Sequence, residues 1–507
     1  MIPIPPSRSR LIKNILGLLA GAALPLAFYP HNLWFIALLS PALLVWLCIN
    51  SSTRHAFIYG YLFGLCMFGV GTGWIHISIN LFGGVNLVGA VLLTLLFVMF
   101  LALFPALACY LSARLYNWHY PKFSMLLVVP TLWTLVEWVR SWIFTGFPWL
   151  NLGYSQTDSA LAGIAPVAGT FGISFTVIFT ATALLMLWRE SRHNRLLVSI
   201  MLFVVWGASW VSSRYDWTEP RSDTISVALV QGAVPQQLKW TPEMRQPTLD
   251  RYMELTRPYL GSDLIIWPEA AIPAFYDQIE GYINNLLSLA NAQNSRLITG
   301  LPYRDQATNK YYNSVVMLDQ EVSFYFKRHL VPFGEYLPLD FLLRDIVDML
   351  NIPVSDFSAG DNNTAPVIHT DSYSIGVSIC YEDTFGEEVI EALPNAAILV
   401  NVSNDAWFGD SAAPHQHLQM ARMRAIESGR YLLRSTNTGL TAIINEKGKV
   451  IADVPQFTPV TLTGTAMLFD GMTPYARAGN YLVLLIISVV LIITAGLRRA
   501  SRQSHKS

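Results

Sequence analysis

The sequence predicts a chain of two parts, a multi-span α-helical membrane domain and a soluble α/β domain. Hydrophobic residues make up 53% of the 507 residues and charged residues only 13%, whereas soluble proteins carry about 25% charged residues. Long apolar runs fill residues 1–211 and return after residue 479. Between them, in residues 212–479, the apolar runs shorten to strand length and turn residues appear. The formal net charge of -1 gives no sign of a nucleic-acid-binding surface.

Eight apolar runs predict membrane-spanning helices, each of which needs about 20 residues. They are Leu11–Phe28, Leu33–Ile49, Phe57–Ile79, Leu87–Ala113, Met125–Ile143, Ala160–Trp188, Leu196–Val211 and Tyr481–Leu497. The first run lacks a convincing cleavage site, so we interpret it as an uncleaved anchor. Seven helices are thus expected in residues 1–211, and the last helix and a cytoplasmic tail in residues 480–507.

Basic residues are distributed unevenly around these runs. If the chain starts on the inner side, the inner segments hold Arg8, Arg10, Lys13, Arg54, Arg114, Lys122, Arg189, Arg192, Arg195, Arg498, Arg499, Arg502 and Lys506. The short outer loops hold almost none, with Arg140 as the exception. Because cytoplasmic loops carry an excess of Lys and Arg, we expect both termini in the cytoplasm. Residues 212–479 then lie on the outer side, which is the periplasm in a bacterium.

Within residues 212–479, strands and helices are predicted to alternate. Short apolar runs bounded by turn residues predict the strands Ile225–Val230, Leu264–Trp267, Arg296–Gly300, Ser314–Leu318, Val322–Phe326, Ser374–Ile379, Ile398–Val402, Leu432–Thr436, Thr441–Ile444 and Val460–Gly464. Apolar spacing predicts the helices Glu243–Leu260, Ile279–Ala292, Glu387–Ala392 and His417–Ser428. This interleaving is typical of a layered α/β fold.

Three polar residues follow strand-like runs in this domain: Glu269, Lys327 and Cys380. Residues at the ends of parallel strands gather at one edge of a sheet, which is where α/β sites form. A carboxylate, an ammonium and a thiol at one edge suit acyl transfer. Glu269 would be the general base, Cys380 the nucleophile that forms a thioester, and Lys327 the cation that stabilises the oxyanion.

Each of these residues also has an ordinary structural interpretation. Cys380 could end a core strand as a small hydrophobic residue, Glu269 could lie on the surface, and Lys327 could belong to a solvated basic turn. The acids after Cys380 could open a helix, whose N-terminus would lower the pKa of the thiol. The placement of all three residues at strand ends favours the catalytic interpretation.

The surrounding motifs resemble a known family. The WPE at Glu269, KRHLVPFGE from Lys327 to Glu335, and CYED at Cys380 are similar to the Glu-Lys-Cys triad of the nitrilase, or carbon–nitrogen hydrolase, superfamily, which folds as an αββα sandwich. The stretches Val230–Trp240, Leu330–Pro338 and Asn401–Ser411 resemble the membrane-embedded branch of that superfamily, the apolipoprotein N-acyltransferases. The resemblance covers nearly the whole chain.

The resemblance implies a function. Such enzymes take an acyl chain from the sn-1 position of a phospholipid, commonly phosphatidylethanolamine, and hold it as a thioester on the cysteine. They pass it to the N-terminal amino group of the diacylglyceryl-cysteine of an apolipoprotein, the last step of bacterial lipoprotein maturation. We therefore expect a ping-pong acyltransferase in the bacterial inner membrane that has phospholipid and apolipoprotein as its partners.

The resemblance also implies supporting residues. Glu335 is expected near the triad as a second carboxylate, and Tyr381 and Glu382 are expected to shape the pocket and the oxyanion site. Trp240 and Asn313 match positions that the family uses around the active site, although Trp240 could equally anchor a loop at the membrane surface. No cofactor is expected, and His415 with His417 gives only a weak metal signal because a third ligand is missing.

Two other classes of function share some of these features. A membrane-tethered amidase or nitrilase that acts on small amides would carry the same triad, and release of ammonia would identify it. A transporter or receptor whose outer domain only binds a ligand would need no triad, and acylation of Cys380 would exclude it.

Overall fold

The chain folds into two compact units. The computed structural model describes residues 6–49, 51–341, 344–345 and 355–503. The first unit comprises Met1–His76, Val88–Tyr215 and Ala478–Ser507, and the second comprises Ile77–Leu87 and Asp216–Arg477. Residues 504–507, which include Lys506 of the predicted tail, lie outside the described residues.

The first unit is helical. Its long helices are Pro6–Ala23, Ile36–Ile49, Thr53–Gly71, Leu87–Leu115, Val129–Arg140, Ala165–Arg189, Arg192–Arg214 and Tyr481–Gln503. Within the described part of the chain, six helical stretches are long and apolar enough to cross a membrane, or up to seven if one bent pair forms a single span. The predicted multi-span helical domain is therefore confirmed.

Two of the eight predicted spans differ from a simple helix. The run Phe57–Ile79 is divided between the helices Thr53–Gly71 and Ile75–Leu81, with a bend of 55° between them. The run Leu33–Ile49 yields the 14-residue helix Ile36–Ile49. A helix of that length rises only about 21 Å, less than the ~30 Å of a bilayer core. The number of eight spans stays a prediction.

The second unit contains two six-stranded sheets. The strands are β1 Glu219–Gln231, β2 Leu264–Ile266, β3 Arg296–Asp305, β4 Lys310–Leu318, β5 Val322–Phe326, β6 Val367–His369, β7 Ser374–Ile379, β8 Ala396–Ser403, β9 Leu432–Thr436, β10 Ala442–Ile444, β11 Val450–Asp453 and β12 Val460–Asp470. One sheet has the order β12-β1-β2-β3-β4-β5 and the other has the order β11-β10-β9-β8-β7-β6. The central pairs β1–β2, β2–β3, β7–β8 and β8–β9 are parallel.

The two sheets pack face to face, and helices cover their outer faces. Ile266 and Met317 of the first sheet share a core with Val377 and Ile398 of the second. The helices Pro242–Thr256 and Tyr276–Asn291 pack on the first sheet, and the helix Ala412–Ser428 packs on the second; representative contacts are Leu249, Ile283 and Leu418. The observed layers confirm the predicted αββα sandwich.

All ten predicted strands are present, and two further strands were missed. The missed strands are β6, with three residues, and β11, with four. Both lie at a sheet edge. Both are too short and too exposed to produce a clear apolar pattern. The helix Ala412–Ser428 begins five residues before the predicted start at His417, because the Ser411 hydroxyl caps it by accepting a hydrogen bond from the Ala413 N–H.

Two contacts within the second unit join segments that are far apart in the sequence. β1 and β12 are antiparallel neighbours, and Glu219 at the start of β1 lies opposite Asp470 at the end of β12. The segment Ile77–Leu87 also belongs to this unit, and the ring of Phe82 packs edge-on against that of Trp407, 4.9 Å between centroids.

Replacement of Ile398 by Ala should destabilise the second unit. Ile398 is fully buried between the sheets, and truncation of such a side chain costs about 2–5 kcal/mol because it loses contacts and leaves a cavity. Thermal unfolding of the detergent-solubilised protein should show a midpoint several degrees lower. The matched variant Ile451→Ala changes a half-exposed isoleucine and should leave the midpoint nearly unchanged; an equal loss in both variants would contradict the proposed core.

Candidate active site

The three predicted triad residues follow strands of both sheets. Lys327 comes directly after β5, Cys380 directly after β7, and Glu269 three residues after β2. The Lys327 ammonium lies 3.8 Å from a carboxylate oxygen of Glu269. The charges of Glu269 and Lys327 both act on the thiol of Cys380. The fold therefore brings the carboxylate, the ammonium and the thiol into one site.

A second carboxylate and an amide complete the surroundings of Lys327. The Lys327 ammonium lies 2.9 Å from the Glu335 carboxylate. The amide of Asn313 donates hydrogen bonds of 2.8 Å to both Glu269 and Glu335. Burial lowers the pKa of Lys327, but the Glu335 and Glu269 carboxylates outweigh burial and raise the pKa above its ordinary value. Lys327 is thus a fixed cation, and Asn313 orients the oxygen of Glu269.

Glu269 sits in a tight turn. The next residue, Ala270, has a φ of 48°, in the left-handed region that is costly for a residue with a side chain. Gly300 on β3 lies directly against this turn, and a Cβ on Gly300 would be 2.5 Å from the nitrogen of Ala270 and 2.7 Å from the Cα of Glu269. Only glycine leaves room for the backbone of the turn at this point.

The thiol of Cys380 contradicts one expectation. Burial and the nearby Glu269 charge raise its pKa well above the ordinary value, although Lys327 acts in the opposite direction. The acids after it form only a five-residue 3-10 helix, Cys380–Thr384, and desolvation outweighs any stabilisation that its N-terminus offers. The expected lowering of the thiol pKa was therefore wrong. The thiol is therefore protonated at neutral pH.

Glu382 connects two of the strand ends. One of its carboxylate oxygens accepts hydrogen bonds from the N–H of Arg328, at 2.7 Å, and from the hydroxyl of Tyr325, at 2.9 Å. The other accepts a hydrogen bond of 2.7 Å from the N–H of Ile379. Arg328 directly follows Lys327, and Ile379 directly precedes Cys380. The buried Glu382 side chain therefore fixes the spacing between Lys327 and Cys380.

The other two residues predicted from the family resemblance lie in different surroundings. Tyr381 is buried and packs edge-on against His329 and Phe385, so it forms part of the wall beside the nucleophile. Trp240 is 50% exposed. In the described part of the chain, no hydrogen bond links Trp240 to Glu269, Lys327 or Cys380. Its location fits a contact surface rather than the reacting centre.

A buried ion network behind Cys380 was not predicted. His417 hydrogen-bonds Asp383 at 2.8 Å and Asp405 at 2.9 Å, and Arg434 contacts the same two carboxylates at 2.9 and 3.0 Å. His417 Nε2 also lies 3.3 Å from the carbonyl oxygen of Cys380. The backbone of Cys380 has a φ of 51°, in the left-handed region. Arg434 was the signal in the sequence that could have indicated this network, because it is a charged residue inside a predicted strand. In the structure it lies in β9 and is fully buried.

Three residues at this place carry atoms of the kinds that bind metal ions. Ligand atoms of Cys380, Asp405 and His417 lie within 4.8 Å of one another. Burial and Arg434 lower the pKa of His417, but Asp383 and Asp405 outweigh them and raise it to about 9. At neutral pH His417 therefore carries a proton on both ring nitrogens and, together with Arg434, balances the two carboxylates. Both ring nitrogens of His417 contact carboxylates that Arg434 also contacts, so these residues form a buried ion network.

Comparisons with known proteins cover both units. Residues 20–183 match a family described as "Apolipoprotein N-acyltransferase N-terminal domain", and residues 226–468 match one described as "Carbon-nitrogen hydrolase". A curated "Apolipoprotein N-acyltransferase" of Methylococcus capsulatus is 44% identical over 97% of this chain and 97% of its own length. One of Vibrio parahaemolyticus is 39% identical over 97% of this chain and 98% of its own length.

Solved structures are similar to about half of the chain. A nitrilase-superfamily protein of Saccharomyces cerevisiae is 20% identical, covers 48% of this chain and 90% of its own, and has a TM-score of 0.36.

The His417 network should make stability depend on pH. The pKa of His417 is about 9 in the folded protein against 6.5 for a free side chain. Its contribution to stability is therefore fully present below about pH 6.5 and is lost as the pH rises through about 9. The thermal midpoint of the native protein should fall more between pH 6.5 and pH 9.5 than that of the variant His417→Gln. Equal slopes in the two proteins would rule out a protonated His417.

Proposed function

The chain belongs to the apolipoprotein N-acyltransferase family, and we propose that it transfers a fatty acyl chain from a phospholipid to an apolipoprotein through a thioester on Cys380. The donor is the sn-1 ester of a phospholipid, with phosphatidylethanolamine as the proposed head group. The acceptor is the N-terminal amino group of diacylglyceryl-cysteine. The observation that carries the proposal is the Lys327–Glu269 contact of 3.8 Å beside the Cys380 thiol, in a chain that also has membrane-length helices.

The first half-reaction forms the thioester. Glu269 takes the proton of the Cys380 thiol while the sulfur attacks the sn-1 ester carbonyl. The oxyanion of the tetrahedral intermediate is stabilised by the Lys327 ammonium and by the backbone N–H of Tyr381. When the intermediate collapses, the ester C–O bond breaks, and Glu269 returns its proton to the alkoxide of the departing lysophospholipid.

The second half-reaction releases the acyl chain. The neutral amino group of the acceptor attacks the thioester carbonyl, and Glu269 takes the proton that the amine loses as the amide C–N bond forms. The C–S bond then breaks, and the sulfur of Cys380 recovers that proton from Glu269. The raised pKa of Cys380 supports this scheme, because a thiol that is protonated at neutral pH needs a base before its sulfur can attack.

The supporting residues act through these three groups. The proposed role of Glu335 is to keep Lys327 charged. The proposed role of Asn313 is to fix the positions of Glu269 and Glu335, because its side-chain amide donates a hydrogen bond to each carboxylate. Glu382 maintains the spacing between Lys327 and Cys380. Trp240, which is half exposed, is proposed to contact a lipid-anchored substrate, since indole rings favour the boundary between water and lipid.

The proposed location is the inner membrane of a bacterium. The catalytic unit lies on the periplasmic side and both termini lie in the cytoplasm. The distribution of Lys and Arg among the short loops supports this topology.

Incubation with phosphatidylethanolamine alone should acylate Cys380. Mass spectrometry should show the full-length protein heavier by one acyl group, because the first half-reaction needs no acceptor. Cys380→Ala should stay in the membrane and show no adduct, while the matched variant Cys66→Ala, which alters a cysteine of the helical unit, should be acylated normally. Addition of a diacylglyceryl-cysteine peptide should discharge the adduct. Acyl transfer to that peptide by Cys380→Ala would contradict the thioester mechanism.

A reporter that is active only in the periplasm should function when fused after Asn362. Fusion of the same reporter after Ser191, in a predicted inner segment, should leave it inactive and serves as the control. Activity of a cytoplasm-specific reporter at Asn362 would reverse the proposed topology.

A further inference from the structure

Lys239 is a second fully buried lysine next to the proposed base. Its side chain is 0% exposed, and its ammonium donates a hydrogen bond of 3.2 Å to the backbone carbonyl of Glu269. Lys327, by contrast, is buried against two carboxylates. In the described part of the chain, no carboxylate lies within ion-pair distance of Lys239. Burial of an ammonium without a directly paired anion is costly. A specific role for Lys239 at this position would explain why that cost is tolerated.

The backbone that Lys239 contacts is the turn that aims Glu269. The carbonyl of Glu269 immediately precedes Ala270, whose φ of 48° is left-handed, and Gly300 leaves no spare space on the other side of the turn. A donor on that carbonyl therefore fixes the peptide plane between Glu269 and Ala270. Loss of the donor would leave a buried carbonyl unpaired at a strained position.

Lys239 itself is anchored from the opposite side. It ends the four-residue helix Gln236–Lys239, and the amide of Asn404 donates a hydrogen bond of 2.8 Å to the side chain of Gln236. The amide of Asn437 donates a hydrogen bond of 2.8 Å to the carbonyl of Val234, just before the helix. These amides hold the segment in place, so the ammonium is presented to Glu269 by a rigid support.

The charge of Lys239 acts on the same carboxylate. Burial lowers the pKa of Lys239 to about 8, against the opposing influence of Glu269, so the side chain is a cation in mildly acidic solution. The other groups around Glu269 are the Lys327 ammonium, the Glu335 carboxylate bridged by Asn313, and the Cys380 thiol.

We propose that Lys239 is a positioning residue for the general base: its ammonium fixes the turn of Glu269 by donating a hydrogen bond to the backbone carbonyl, and it places a positive charge near the carboxylate. The inference rests on the proposed role of Glu269 in acyl transfer. It assigns to the lysine of the stretch Val230–Trp240 a task that is separate from the exposed surface formed by its neighbour Trp240.

The test compares Lys239→Met, which removes both donor and charge, with Lys239→Gln, which keeps an N–H donor without the charge. The control is Lys447→Met, which alters a largely exposed lysine that pairs with Asp216. Two rates are measured against pH in the full-length protein in detergent. One is alkylation of Cys380 by iodoacetamide, followed on the Cys380 peptide by mass spectrometry, and the other is acylation of Cys380 by phosphatidylethanolamine.

Both Lys239 variants should lack the change in each pH profile that the native protein shows near pH 8, where Lys239 loses its proton. Lys239→Met should also slow acylation by about tenfold or more at the optimum, since small displacements of a base are costly. Lys239→Gln should retain more of that rate. Lys447→Met should match the native protein in every measurement.

Unchanged pH profiles in a folded Lys239→Met protein, with only a lower thermal midpoint, would overturn the proposal and leave Lys239 as a structural residue. If Lys239→Met does not fold, the pH profile of Lys239→Gln decides by the same criterion. Failure of the native protein to become acylated by phosphatidylethanolamine would count against the proposed function. In that case loss of the change near pH 8 from the alkylation profile would still support the link between Lys239 and Glu269.

Discussion

The burial of Lys327 sets the geometry of the catalytic unit. An ammonium that is 1% exposed loses several kcal/mol of hydration, and only anions at close range can offset the loss. Glu335 lies at 2.9 Å and Glu269 at 3.8 Å, and Asn313 holds both carboxylates. Because Lys327 follows β5 and Glu269 follows β2 of the same sheet, this charge balance fixes how two strand ends meet. Glu382 extends the arrangement to the other sheet through the end of β7.

Burial and the same charges keep Cys380 as a thiol. Cys380 has an acid and a cation near it, and burial together with the acid prevails over Lys327. A permanent thiolate would be desolvated and would face the negative charges of Glu269 and Asp405. In the proposed mechanism the thiol loses its proton only to Glu269, which avoids that cost and keeps the thiol poorly reactive until an ester is present. The ion network of His417 and Arg434 also contacts the backbone at Cys380. His417 lies within hydrogen-bond distance of the carbonyl oxygen of Cys380, a residue with a left-handed φ.

The sequence predicted the parts of this architecture that local pattern encodes. Alternating apolar runs located β2, β5 and β7, and the polar residues that follow them were found by position alone. The pKa of Cys380 was predicted in the wrong direction, because burial is set by the packing of both sheets and not by the neighbouring acids. Arg434 and His417 meet Asp383 across 51 and 34 residues, and Lys239 meets Glu269 across 30. Such pairings arise only when strands from separate parts of the chain come together.

The pairing of β1 with β12 has a consequence for the origin of the chain. Because Glu219 lies opposite Asp470, the long segment between the last two apolar helices begins and ends at the same place on its own sheet. A domain whose ends are adjacent can be inserted into a loop of another protein without a break in its core. An insertion of this kind would explain how β1 to β12 form a closed core although membrane-length helices lie before and after them in the chain.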